Sequence, residues 1–195
     1  MGYYWHKVSN ADLVDRSNYT IETGKICNYC LSVVNFQTKH CKVCNKCIYR
    51  FDHHCNILNT CIGYSNYKEF IYLLLSLLVF NLSLSIFSIH TIIFFFKSTE
   101  SSNPDSVPQL KFSINAMIIT NFINFVLSVT IELFVTFLLV FHLYLKIKSM
   151  TTYEFICKRN IATELKSMKV SSESGIGKTD IDNTRINPVT LAYSV

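Results

Sequence analysis

Residues 27–61 read CNYCLSVVNFQTKHCKVCNKCIYRFDHHCNILNTC. The stretch holds seven cysteines and three histidines, whereas a pair of four-coordinate zinc sites takes eight ligands. One cysteine and one histidine are therefore left over, and Asp52-His53-His54-Cys55 places a thiol, imidazoles and a carboxylate side by side. That grouping makes a thiolate nucleophile. The stretch reads as a metal-built scaffold carrying a reactive cysteine.

Spacing supports the count. Cys27 and Cys30 form one C-x2-C pair, Cys41 and Cys44 another, and Cys47 follows three residues on. A C-x2-C turn presents two sulfurs to one metal without strain. His40 directly precedes Cys41, and His53 directly precedes His54; adjacent side chains diverge, so the members of each couple are expected to serve different purposes. A disulfide framework is the competing reading. Close C-x2-C pairs beside histidine argue for metal instead.

The chain has 195 residues, is 50% apolar and has a mean hydropathy of +0.27. The apolar residues concentrate in two blocks. Residues 70–96 contain no Asp, Glu, Lys or Arg, and residues 112–145 contain one charge, Glu132. A bilayer span takes about 20 apolar residues in a helix, so each block is long enough. Residues 1–26 hold no apolar run of signal-peptide length, and His6 in place of Ser or Thr argues against myristoylation at Gly2.

Basic residues set the expected orientation. Lys39, Lys42, Lys46, Arg50 and Lys68 precede the first block, and Lys146, Lys148, Lys158 and Arg159 follow the second. Lys97 and Lys111 in the connecting loop are offset by Glu100 and Asp105. Positive charge stays cytosolic, so both termini and the cysteine cluster are expected in the reducing cytosol. A net charge of +5 suits an anionic lipid surface and calls for no nucleic acid.

The resulting organisation is a lead-in over 1–26, weakly structured; a zinc domain of short hairpins over 27–67, its sites padded by Phe51, Ile57 and Ile62; a transmembrane helix over 70–96; a lumenal loop over 97–111; a transmembrane helix over 112–145; a cytosolic segment over 146–166; and a disordered tail over 167–195. The fold class is thus a membrane all-α protein with a small cysteine-rich domain. Among isolated residues, Glu132 is expected to pack protonated against polar groups of the other helix. His90 and His142 are expected at the interface, and Cys157 is expected to be an idle thiol.

The run Cys41-x2-Cys44-x2-Cys47-x4-Asp52-His53-His54-Cys55-x5-Cys61-Ile62-Gly63-x2-Asn66-Tyr67-x2-Phe70 resembles the cysteine-rich domain of DHHC protein S-acyltransferases, or palmitoyltransferases. Thr151-Thr152-Tyr153-Glu154 fits the Thr-Thr-x-Glu signature of the same family. The resemblance implies two structural zinc ions, one on Cys27, Cys30, His40 and Cys47, the other on Cys41, Cys44, His54 and Cys61. It implies Cys55 as the acylated nucleophile, His53 as its base, Asp52 orienting His53, and Thr152 bonding near Asp52. Acyl-CoA, palmitoyl-CoA in particular, would be the donor. The acceptors would be substrate proteins with juxtamembrane cysteines, at the bilayer of the ER or Golgi.

Three departures stand out. Asn56-Ile57 replaces the usual Pro-Trp, Val34-Asn35-Phe36-Gln37 replaces a Lys-Pro-x-Arg stretch, and two spans are present where the family has four. On the last ground the sequence is expected to be either an N-terminally truncated product or a short form. A non-catalytic zinc-and-membrane adaptor is the alternative function. A nucleic-acid module is disfavoured for want of an aromatic stacking platform.

Overall fold

The computed structural model describes residues 1–14, 20, 22–101 and 108–173. Two compact units emerge. One is a helical unit, Ile71–Phe141; the other joins Gly2–Phe70 to the segment that begins at His142.

In the second unit the described residues form three antiparallel hairpins. β1 (Lys25–Ile26) pairs with β2 (Val33–Val34), β3 (Thr38–Cys41) with β4 (Lys46–Tyr49), and β5 (His53–Cys55) with β6 (Thr60–Ile62). The tight turns have a local cause. Leu31 and Asn45, each directly after the second cysteine of a C-x2-C pair, take left-handed φ values of 55° and 50°, and Asn59 in the β5–β6 turn takes 48°. Asparagine tolerates this region better than most residues.

The core beneath the hairpins is small. Ile48 and Ile62 are fully buried, and Cys41, Cys61, Ile48 and Leu13 form one cluster with Phe51 packed against it. Leu13 belongs to the lead-in, which is more ordered than the sequence suggested. Residues Gly2–Ser9 form helix α1 with Val8 fully buried. Asn66, itself fully buried, explains the docking. Its amide nitrogen donates to the carbonyls of Val8 and Cys61, and its oxygen accepts from the Gly63 N–H. Ile57, expected to pad a metal site, is instead 75% exposed. The neighbouring Leu58 takes the buried position.

Gly63 is required by close approach. A Cβ there would lie 2.6 Å from the Ile48 side chain and 3.2 Å from the Tyr49 carbonyl oxygen.

Helix α2 (Tyr67–Ser101) and helix α3 (Pro108–Ile147) contain the two spans, Tyr67–Lys97 and Asn115–Ile147, with mean hydropathies of 2.3 and 2.2. The helices thus run into the expected loop from both sides, and only residues 102–107 of it lie outside the described residues. Within the helical unit the buried residues of α2 are Leu73, Leu74, Asn81, Ser85 and Ser88. Their separations of three, four and seven mark one helix face. Most large apolar side chains elsewhere on both helices are exposed, as lipid-facing residues are. Glu132 is half-exposed and His90 exposed.

A final helix, α4 (Thr152–Glu173), carries regular structure past Ser167, where the sequence suggested an unstructured tail. The remainder of that tail, 174–195, lies outside the described residues.

Candidate active site and metal centres

Strand alternation sorts the cysteines and histidines. Successive side chains on a strand point to opposite faces. On β3 this sends His40 and Cys41 apart, and on β5 it separates His54 from His53 and Cys55. Register completes the grouping, with His40 opposite Cys47 and His54 opposite Cys61.

Two four-residue clusters result, Cys27, Cys30, His40 and Cys47, and Cys41, Cys44, His54 and Cys61. Within each, all ligand atoms lie within 4.8 Å of one another. In the first, Cys30 Sγ lies 3.2 Å from Cys47 Sγ, which is 3.5 Å from His40 Nδ1. In the second, His54 Nδ1 lies 3.3 Å from Cys44 Sγ, 3.5 Å from Cys61 Sγ and 3.9 Å from Cys41 Sγ. Zinc bond lengths of about 2.3 Å to sulfur and 2.0–2.1 Å to nitrogen imply tetrahedral edges of roughly 3.5–3.8 Å. Both donor sets, three thiols and one imidazole, therefore fit structural zinc. All eight cysteines of the chain are free thiols, so the disulfide reading fails. Burial, and then the crowding of neighbouring sulfurs, pushes the Cys47 and Cys61 thiols above the ordinary range. A bound cation relieves that penalty.

The leftover tetrapeptide residues converge as well. His53 Nδ1 lies 2.7 Å from Asp52 Oδ2, which leaves Nε2 as the ring nitrogen for the Cys55 thiol, to which His53 is also hydrogen-bonded. Asp52 is 2% exposed. Burial alone would raise its carboxyl, but bonds from His53 and from the Thr152 N–H and hydroxyl hold it below the usual carboxylate range. Burial likewise works against a charged His53, yet its bonds to Asp52 and Cys55 raise it to about 9. Cys55 is lowered despite burial, first by His53 and then by the Leu58 and Ile57 backbone N–H groups. The Asn56-Ile57 departure from Pro-Trp thus leaves a turn whose amides face the sulfur. The pairing favours the thiolate of Cys55 and the protonated form of His53, each relative to its free side chain.

Thr152 reaches Asp52 because of how α4 begins. The Thr151 hydroxyl accepts from the Glu154 N–H, and a Glu154 carboxylate oxygen accepts from the Thr151 N–H at 2.8 Å. This is a capping box. It leaves the Thr152 N–H, one of the unpaired donors of a helix start, free to donate to Asp52 Oδ1 at 2.8 Å, while the Thr152 hydroxyl donates to Oδ2 at 2.8 Å. A carboxylate at a helix N-terminus is further favoured by the helix dipole. The Tyr153 ring packs edge-on against Phe51, and Lys39 Nζ lies over the Tyr153 ring, 5.0 Å from its centre. Tyr153 also hydrogen-bonds the half-buried Cys157.

His142 is the residue whose part in the site sequence reasoning missed. Near the end of α3, it is only 2% exposed. Its Nδ1 lies 4.0 Å from Asp52 Oδ2 and 3.2 Å from the Tyr67 hydroxyl. Its ring sits 5.7 Å from that of His53 and edge-on to Phe70 at 5.2 Å. The signal in the sequence was a histidine in a largely apolar stretch, nine residues before Thr151.

Comparison with known proteins agrees with this geometry. The family model described as DHHC palmitoyltransferase matches residues 20–159. The chain is 32% identical over 161 residues to the human "Probable palmitoyltransferase ZDHHC11B", covering 74% of this chain and 43% of that protein. It is 32% identical over 139 residues to "Probable protein S-acyltransferase 15" of Arabidopsis thaliana, covering 71% and 50%. Against "Palmitoyltransferase Hip14" of Drosophila melanogaster it is 38% identical over 68 residues, covering 35% and 11%. The matched region spans half or less of the length of these relatives.

Proposed function

The chain belongs to the DHHC palmitoyltransferase family, and from that membership we propose that it moves a fatty acyl group from acyl-CoA, through a thioester at Cys55, to cysteines of substrate proteins. The observation that carries the reading is the continuous chain of contacts from Thr152 through Asp52 and His53 to Cys55.

In the first step the Cys55 thiolate attacks the carbonyl carbon of the acyl-CoA thioester. The new carbon–sulfur bond forms, the bond to the CoA sulfur breaks, and the departing CoA thiolate takes the proton from His53. In the second step His53 accepts the proton of an incoming cysteine thiol, whose sulfur attacks the acyl carbon. Cys55 leaves as a thiolate, again paired with protonated His53. Asp52 keeps the His53 ring oriented with Nδ1 toward itself and Nε2 toward the sulfur, and stabilises the imidazolium. Each zinc, bound by four protein groups, would fix backbone on either side of Cys55 and would take no part in the chemistry.

The placement proposed is an integral membrane protein of the ER or Golgi, with both ends of the chain and the hairpins in the cytosol. The partners proposed are proteins with cysteines near the membrane face. Two helices long enough to cross a bilayer and the bias of Lys and Arg support this.

The test is to express the chain in membranes with an alkyne fatty acid. A hydroxylamine-labile label that is lost in Cys55→Ser supports the thioester. No label on a zinc-loaded, folded chain favours the adaptor reading instead.

A further inference from the structure

A second polar feature adjoins the site, sharing Asp52 in its wall but not Cys55 or His53. Arg50, Lys68 and Lys146 line one cavity of about 310 Å³, together with Tyr64, Tyr67 and Ser149. The three cations come from three separate elements: the turn after β4, the first turn of α2 and the last turn of α3. Like charges gathered in one cavity repel, so the arrangement asks for an anion. None of the three side chains has an ion-pair or hydrogen-bond partner among the described residues. The carboxylate in the cavity wall, Asp52, does not answer them, because His53 and Thr152 already occupy both its oxygens. The hydroxyls of Tyr64, Ser149 and Thr151 add uncharged donors to the lining.

Position selects the kind of anion. Lys68 is the second residue of the span Tyr67–Lys97, and Lys146 is the residue before the end of the span Asn115–Ile147. Both therefore stand at the depth where a bilayer presents its headgroups, and tyrosines favour the same level. Basic pockets at the ends of transmembrane helices take phosphate-bearing headgroups. The Met150 side chain and the tyrosine rings give the cavity an apolar side along which a glycerol backbone can lie.

We propose that the cavity formed by Arg50, Lys68 and Lys146 binds the headgroup phosphate of an anionic phospholipid. The site is independent of the acyl-transfer reading, since it uses neither Cys55 nor a zinc ligand.

The experiment uses the purified full chain in detergent micelles, titrated with fluorescent phosphatidic acid and, separately, with fluorescent phosphatidylcholine. The expected result is saturable binding of phosphatidic acid only. At about 1 kcal/mol per cation near a lipid surface, the triple variant Arg50→Gln/Lys68→Gln/Lys146→Gln should bind about a hundredfold more weakly. Lys148→Gln/Lys158→Gln should bind as wild type does, and Lys68→Arg/Lys146→Arg should retain binding. Zinc content reports folding of each variant. If the triple variant loses zinc, Lys146→Gln alone, at an exposed position, should still weaken binding about fivefold. Equal binding by wild type and the cavity variants would overturn the proposal. So would inorganic phosphate or free CoA binding with the same three-cation dependence while phosphatidic acid does not, which would mark a site for soluble phosphates.

Discussion

Thr152 and Asp52, one hundred positions apart in the chain, are joined by two hydrogen bonds of 2.8 Å each. The threonine spends its N–H on one carboxylate oxygen and its hydroxyl on the other. Thr151 and Glu154 cap α4 between themselves, and among the described residues both Thr152 donors go to Asp52. The Thr-Thr-x-Glu signature is thus a helix cap with a second use: it fixes the carboxylate that orients His53.

Thr152→Val keeps the backbone bond and deletes the hydroxyl. A hydrogen bond to a charged group contributes about 1.5–3 kcal/mol. Self-acylation should therefore fall roughly tenfold to a hundredfold if the bond acts fully on the reacting geometry. Zinc content should not change. Thr152→Ser should restore most of the rate, and a valine variant as fast as wild type would show that the hydroxyl has no bearing on the site.

His142 closes the site from the side of Phe70 and Tyr67. His142→Phe retains a ring there but loses the polar edge near Asp52, whereas His142→Ala also leaves a void beside His53. The alanine variant should lose more activity than the phenylalanine variant, by roughly tenfold or more relative to wild type, because small misplacements of a catalytic ring are costly. Single-turnover acylation of variants with matched zinc content measures this.

Alkylation of Cys55 against pH tests the ion pair. His53, raised from 6.5 to about 9, contributes stability that is whole below about 6.5 and is lost as pH rises through about 9. Cys55, held below its ordinary 9.0, contributes stability that is present above that ordinary value and is lost as pH falls through the lowered one. Cys55 should thus react with iodoacetamide at near-full rate at pH values where an ordinary thiol is protonated. In His53→Gln the midpoint should move upward toward the ordinary thiol. An unchanged midpoint would dissociate the imidazole from the thiol.

Metal removal should act on the hairpin unit as a whole. Two zinc ions per chain are expected by elemental analysis, one of them lost in Cys27→Ser and the other in Cys41→Ser, with both retained in Cys55→Ser. For a unit this small, metal binding is a large part of folding free energy. A strong chelator should therefore make the hairpins protease-sensitive. Gly63→Ala tests the same packing without touching a ligand. The added methyl meets the Ile48 side chain and should cost about 1–3 kcal/mol, read as a lower melting temperature.

The two Cys/His clusters, the grouping of Asp52, His53 and Cys55 and the two long apolar helices were legible because each rests on local signals: C-x2-C spacing, adjacent residues that diverge, and unbroken apolar runs. What escaped depends on contacts between distant parts of the chain. Val8 and Leu13 are too few to show a period, and α1 is held through Asn66, far along the chain. His142 looked interfacial because nothing near it in sequence reveals Asp52 or His53 as its neighbours. Ile57 was misplaced for the opposite reason. Hydrophobicity suggested burial, but the turn between β5 and β6 directs Leu58 inward instead. The cap formed by Thr151 and Glu154 was readable from its spacing alone. Its consequence for Asp52 was not, since that required the fold.

Acyl transfer through Cys55 is tested most directly by peptide-level mass spectrometry of the purified chain after brief exposure to palmitoyl-CoA. One palmitoyl group is expected on Cys55, labile to hydroxylamine, formed with release of one equivalent of free CoA and much reduced in His53→Gln. A folded, two-zinc chain that carries no acyl group on Cys55, or carries it on Cys157 alone, would contradict it.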